Sequence, residues 1–135
     1  QPIINDYNYS KQKLIICSSD RDKKKYPKLS KYKINLKIPL KNILSIKLVN
    51  VMFTFKQQTS SSYIILKLND FELLSSNNIN INKNFSVLYP NKIYNDEIIF
   101  NPPLKILDIF DVKLINPQKL KIEEHAFEFI IELLI

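Results

Sequence analysis

A chain of 135 residues is the size of one ordinary domain and buries about two-thirds of the surface its unfolded form exposes, so a core needs neither disulfide nor metal. With 45% hydrophobic and 11% aromatic residues it is too apolar for a disordered tail, and no apolar run approaches the roughly 20 residues of a membrane-spanning helix. A net charge of +7 points to an anionic partner, but the chain has no Gly, one Ala (Ala126) and one Arg (Arg21) amid abundant Lys, Asn and Ile, the residue choice of an A/T-rich coding sequence, which raises Lys whatever the function.

In chain order, Gln1–Gln12 reads as an extended arm, and the start lacks the basic-then-apolar layout of a signal peptide. With no initiator Met and a strand at its end, the chain reads as a segment of something longer. Leu14–Ser18 is a short strand, and its Cys17 reads as an inert core thiol. Being the only Cys, it excludes an internal disulfide or a multi-cysteine zinc site. From Tyr32 the sequence alternates with a period of two: Tyr32, Ile34, Leu36 and Ile38 to one side, Lys33, Asn35 and Lys37 to the other, one buried and one wet face. Ile43–Phe55 changes phase midway, with Leu44, Ile46 and Leu48 on one face and Val49, Val51, Phe53 and Phe55 on the other. A β-bulge, or a strand crossing between sheets, reconciles the two halves.

Further strands are predicted at Tyr63–Leu68, Asp70–Leu74, Phe85–Tyr89, Glu97–Phe100 and Val112–Ile115, with a short helical turn within Asn101–Leu107. The closing row Phe127, Phe129, Ile131, Leu133 and Ile135 is a strand opposite Glu128, Ile130 and Glu132. Turn chemistry separates the runs at Tyr26-Pro27, Pro39, Gln57–Ser62, Ser75–Asn78, Tyr89–Asn91, Asn101–Pro103 and Asn116-Pro117. Without Gly, positive-φ positions fall to Asn and Asp. The fold class is all-β: an antiparallel β-sandwich or barrel of about eight to ten strands in one domain spanning 1–135.

The inventory for catalysis is thin, and the chain reads as a non-enzyme with no cofactor and no metal. His125, the single His, follows Glu123-Glu124 and reads as a strand-entry residue, since a base needs partners to orient it. Phosphate-cradling loops and nucleophile elbows use Gly, which is missing here. The cluster Ser18–Asp22 reads as a polar loop knot made by Ser19, Asp20, Arg21 and Asp22, with capping by Asp and Ser and carboxylates bridged by Arg21. The basic run that follows, continued by Lys31 and Lys33, gives Lys23, Lys24, Lys25 and Lys28 as contacts to an anionic partner, with Tyr26 placed to stack on a base. Asp20 and Asp22 dilute this patch, and a solvated loop is its plainer reading.

In order along the chain, Ile16-Cys17-Ser18-Ser19-Asp20-Arg21-Asp22, Tyr26-Pro27, the alternating strand Tyr32–Leu40, Ile43-Leu44-Ser45-Ile46-Lys47-Leu48, Phe100–Leu104 through Asp111–Pro117, and His125–Ile131 resemble a group of virion proteins of nucleocytoplasmic large DNA viruses. Their pattern is strand, Ser-x-Asp-Arg-Asp/Asn knot, Tyr-Pro, alternating strand, Ile-x-Ser-Ile-x-Leu strand, Pro-Pro-Leu turn and a closing His-x-Phe strand. This chain departs from it at Gln118–Lys121, where the family's turn carries Gly. The resemblance implies a single jelly roll acting as a minor capsid or penton-like protein. It would be in contact with the major capsid protein and other capsid proteins as a homo-oligomer within the virion, assembled in the host cytoplasm. Two other readings stand beside it: a basic β module that binds nucleic acid, and an accessory sandwich domain of a larger cellular protein. No membrane span is expected in any of them.

Overall fold

The computed structural model describes residues 10–56, 62–89, 94–121 and 127–135. These form six strands, β1 (Lys11–Cys17), β2 (Lys31–Met52), β3 (Ile64–Leu68), β4 (Ser86–Leu88), β5 (Glu97–Ile115) and β6 (Glu128–Leu134). All pair antiparallel in one curled sheet, ordered β1-β6-β2-β5-β3-β4. The fold is thus mostly antiparallel β, with a 3-10 turn at Ser18–Asp20.

Six strands stand among the described residues, fewer than the eight to ten expected, because expected neighbours fuse. Tyr32–Leu40 and the first part of Ile43–Phe55 are one strand, the 22-residue β2. Glu97–Phe100 and Val112–Ile115 are the two ends of the 19-residue β5. The two run side by side through a pair of compensating bulges. Residues 36–39 of β2 bow out between the pairs Asn35–Ile109 and Leu40–Leu107, and residues 100–103 of β5 bow out between Ile43–Leu104 and Ser45–Ile99. Pro39, Pro102 and Pro103 occupy these excursions. Without an N–H, proline cannot donate to the ladder, so pairing lapses there and resumes beyond. Sequence signals read as turns are therefore bulges inside long strands. The helical turn expected within Asn101–Leu107 is likewise strand, with Leu104, Ile106 and Leu107 paired to Ile43, Lys41 and Leu40.

The phase change in β2 resolves as a bulge at Val49: Leu48 pairs with Ile131 and Asn50 with Ile130, leaving Val49 as the extra residue. The bulge restores the inward face, so Ile46, Leu48 and Phe55 are buried and Val51 and Phe53 half-buried. Asp70–Leu74 is not a strand. Asn69 adopts φ 50° and turns the chain. Its side chain donates to the Ile109 carbonyl (3.0 Å) and accepts from the Asp111 N–H (2.7 Å). The chain beyond is then stapled by Leu73 and Leu74 N–H groups donating to the Asn84 carbonyl.

One buried cluster joins both halves of the sheet. Ile46 and Leu48 of β2 and Phe129, Ile131 and Leu133 of β6 meet Leu66 and Leu68 of β3 and Phe110, Val112 and Leu114 of β5. Each fully buried Ile, Leu or Phe adds about 1.5–3 kcal/mol. The closing row falls inward as its alternation predicts, with Phe127, Phe129, Ile131 and Leu133 fully buried. Two inward expectations fail. Ile38 lies in the β2 bulge and is 79% exposed. Cys17 alternates with the buried Ile16 and is only half-buried on the outer face of β1, so it is not a core thiol. The end of the expected N-terminal arm is strand, with Lys11 opposite Leu134 and Gln12 opposite Leu133, and Ser10 exchanges two backbone hydrogen bonds with Ile135; residues 1–9 of the arm lie outside the described residues.

Positive-φ positions are not left to Asn and Asp alone. Among the described residues they are Asn42, Asn69, Lys83 and Lys119. Lys119 (φ 54°) sits in the turn that follows Asn116-Pro117. Asn116 holds this turn by accepting from Leu120 N–H (3.0 Å) and donating to the Leu120 carbonyl (2.6 Å). That two-bond clasp offsets the cost of a left-handed lysine.

Candidate functional site

Strand β1 ends at Cys17, and the 3-10 turn that follows delivers Ser18–Asp22 to the end of the sheet. Arg21 is the hub, but it bridges backbone carbonyls, not the carboxylates expected of it. Its Nε donates to the Tyr26 carbonyl (2.9 Å), Nη1 to the Ser18 carbonyl (2.7 Å) and Nη2 to the Pro27 carbonyl (3.4 Å). The planar guanidinium fork suits three carbonyls converging from two sides of a loop. Asp22 Oδ1 accepts from the N–H groups of Lys24 (3.0 Å) and Lys25 (3.3 Å), the geometry of an Asx turn. The Ser19 hydroxyl lies 2.8 Å from Cys17 Sγ, and Asp20 stands exposed at the rim. The buried member is Ser18, which the sequence placed in the cluster without giving it a role: its Oγ accepts from Phe127 N–H (2.9 Å) and its own N–H donates to the Phe127 carbonyl (2.9 Å). Ser18 thereby ties the knot to the start of β6.

The lysines of the following loop, Lys23, Lys24, Lys25 and Lys28, are all exposed. Lys25 Nζ sits 5.7 Å from the centroid of the Tyr26 ring, a cation–π contact that occupies the face proposed for stacking. Beside them a depression of about 820 Å³ opens toward β2, lined by Asp20, Asp22, Lys25, Tyr26, Lys33 and Lys37, among others. Its two carboxylates sit among the ammonium groups. Ser18, Arg21 and Asp22 thus organise the loop, and Lys25 is the loop lysine that lines the mixed-charge hollow, beside Lys33 and Lys37 of β2.

Tyr32 lies fully buried in the core cluster. Its hydroxyl has no hydrogen-bond partner among the described residues. Burial holds its ionisation well above the ordinary tyrosine value, with Cys17 adding to the rise and Arg21 opposing it. Burial likewise pushes Tyr94 up to about 12, although its hydroxyl donates to the Tyr89 carbonyl (3.0 Å). Cys17 Sγ also reaches Glu128 Oε1 at 3.3 Å. Among the described residues no three His, Cys, Asp or Glu side chains converge as metal ligands, and no helix is long and apolar enough to cross a membrane. Glu123, Glu124 and His125 lie outside the described residues.

Strand register creates features that the sequence did not reveal. On the outer face of one half, Lys13, Glu132, Lys47 and Glu97 stand directly opposite one another across β1, β6, β2 and β5, alternating in sign. On the outer face of the other half, Lys31, Lys113 and Lys67 stand opposite one another across β2, β5 and β3, all of one sign and all exposed. Between β5 and the 69–84 connection runs a groove of about 900 Å³ whose lining includes Phe71, Ile79, Leu104, Ile106 and Ile109. It exists because β3 pairs with β5 only over Val112–Ile115, short of the Leu104–Ile109 stretch. No local pattern foretells these juxtapositions, since they join residues tens of positions apart.

Models of protein families and characterised proteins were both searched, and neither search found a match for the chain.

Proposed function

We propose that this chain is a structural protein of a large DNA virus shell, a minor capsid or penton-like component that works through contacts with the major capsid protein and further copies of itself. The ordered motifs from Ile16 to Ile131 support the reading. The curled sheet is taken as the single jelly-roll sandwich that the resemblance implies, its two halves enclosing one core.

The observation that carries the proposal is the apolar surface along the bent β2–β5 ribbon. Ile38, Ile99 and Ile106 are 79%, 72% and 51% exposed, and Ile79, Ile106 and Ile109 line one groove. Isoleucines that share an exposed groove mark a protein-contact surface, and a strand stretch with one side unpaired is suited to accept a partner's strand. Repetition over a closed shell multiplies modest contacts into a stable assembly.

Quantitative mass spectrometry of purified virus particles tests this. The expected result is the chain at multi-copy stoichiometry with the major capsid protein, and an Ile106→Asp/Ile109→Asp variant that folds but is depleted from particles. A chain abundant in infected cells yet missing from particles overturns the proposal.

A further inference from the structure

We infer that the outer face of the β2–β5–β3 half binds a phosphodiester strand along the row Lys31–Lys113–Lys67, a row that borders the groove of the shell proposal but does not rest on that reading. Directly opposed residues on antiparallel strands have Cβ atoms roughly 4.5–5.5 Å apart, and like charges so placed are destabilising. Three lysines across three strands repeat that penalty twice. A lysine-rich composition alone does not account for the row, because the same sheet handles its other outer row differently. There Lys13 faces Glu132, and Lys47 faces both Glu132 and Glu97. Where cross-strand charge is self-contained the signs alternate; at Lys31, Lys113 and Lys67 they do not. In the adjacent row Lys33 faces Asp111, and Asp70, Glu72 and Asp108 line the neighbouring groove with Lys33, Lys67 and Lys113, so carboxylates flank the lysine row without standing in it.

An anion laid over the row converts its repulsion into attraction. Phosphodiester fits best. It supplies one charge per unit along the whole strand, and lysine acts as a point charge on a flexible stem that follows such a ribbon without demanding bidentate geometry. An acidic peptide in extended form presents side chains to one face only every second residue, so it requires a matched sequence. The row holds no Arg, the residue most used for reading bases, which makes the contact independent of sequence. The loop patch Lys23–Lys25 is the weaker candidate, because its lysines stand on a turn and no strand pairing holds them side by side.

The test is fluorescence anisotropy with a labelled oligothymidine, titrated with the full chain between roughly 50 and 200 mM salt. Three phosphate contacts on a single strand give a log–log salt slope of about −2. Lys31→Gln/Lys67→Gln/Lys113→Gln is expected to abolish most of that slope, and Lys23→Gln/Lys24→Gln/Lys25→Gln to leave it. Lys113→Glu is expected to weaken binding by about tenfold while the melting temperature holds or rises, since the row then alternates in sign. An unchanged slope in the row variant, or loss of the slope in the loop variant, overturns the inference. So does displacement of the oligonucleotide by polyglutamate of equal charge, which would assign the row to an acidic protein. A fall in both binding and melting temperature for Lys113→Glu also overturns it, because the row would then be structural.

Discussion

At the scale of single residues, Arg21 has the largest structural consequence per atom. Its guanidinium closes a loop by donating to the carbonyls of Ser18, Tyr26 and Pro27, and removing it leaves those acceptors to find water or go unpaired. Arg21→Ala is expected to cost about 2–3 kcal/mol in urea unfolding, and Arg21→Lys to recover less than half of that, because an ammonium cannot span three separated carbonyls. A loss under 0.5 kcal/mol for Arg21→Ala would show the loop is held elsewhere. Tyr32 presents the reverse case. Its buried hydroxyl is unpartnered among the described residues, so Tyr32→Phe removes a desolvated polar group without opening a cavity and is expected to leave stability unchanged or raise it by about 1 kcal/mol. Alkaline unfolding follows from the same burial. For a tyrosine whose folded value lies above its unfolded one, stability is intact below pH 10 and declines above it, because the unfolded chain then releases a proton that the fold retains. With Tyr94 pushed up to about 12, urea midpoints are expected to fall between pH 10 and 12, and Tyr94→Phe to flatten that fall. The sequence marks Ser18–Asp22 as a polar cluster but does not carry its wiring. Which atoms Arg21 meets depends on how Tyr26 and Pro27 fold back over it, and a sequence carries no such geometry.

Elements show how far a period-two pattern reaches. In β2 the pattern disclosed its own fault: two apolar phases in one run require an extra residue, and Val49 is that residue. Deleting Val49 without repacking would turn Val51, Phe53 and Phe55 to the opposite face of the sheet. The deletion is expected to cost more than about 3 kcal/mol or abolish folding, whereas Val49→Ala costs under about 1 kcal/mol; circular dichroism with urea titration separates the two. Equal effects would mean that the side chain, not the added backbone length, matters there. The same pattern misled at Pro39 and Pro102-Pro103. Proline interrupts a ladder in the same way whether the chain turns back or continues beyond, and only the resumed pairing of Leu40 with Leu107 and Ile43 with Leu104 shows that it continues. Ile38 was misplaced for this reason, since alternation assigns faces only while pairing is unbroken.

On the scale of the whole molecule, the buried cluster ties β1, β6 and the end of β2 to β3 and the end of β5. Phe110, fully buried on β5, is expected to cost about 3–5 kcal/mol as Phe110→Ala, with native-state hydrogen exchange in β6 and β3 accelerated to the same extent. Acceleration confined to β3 would mean the two halves open separately. The amino-acid sequence by itself determined that this chain is β-rich, that Ile43–Phe55 changes phase, and that Phe127, Phe129, Ile131 and Leu133 share one buried face, because alternation is a local property written within a few residues. Tertiary structure alone decided the number of strands, the one-sheet order β1-β6-β2-β5-β3-β4, and the register that lines up Lys31, Lys113 and Lys67 while alternating Lys13, Glu132, Lys47 and Glu97. Register is a relation between distant segments, fixed when bulges, prolines and the shared core settle together, and no stretch of the chain contains it alone.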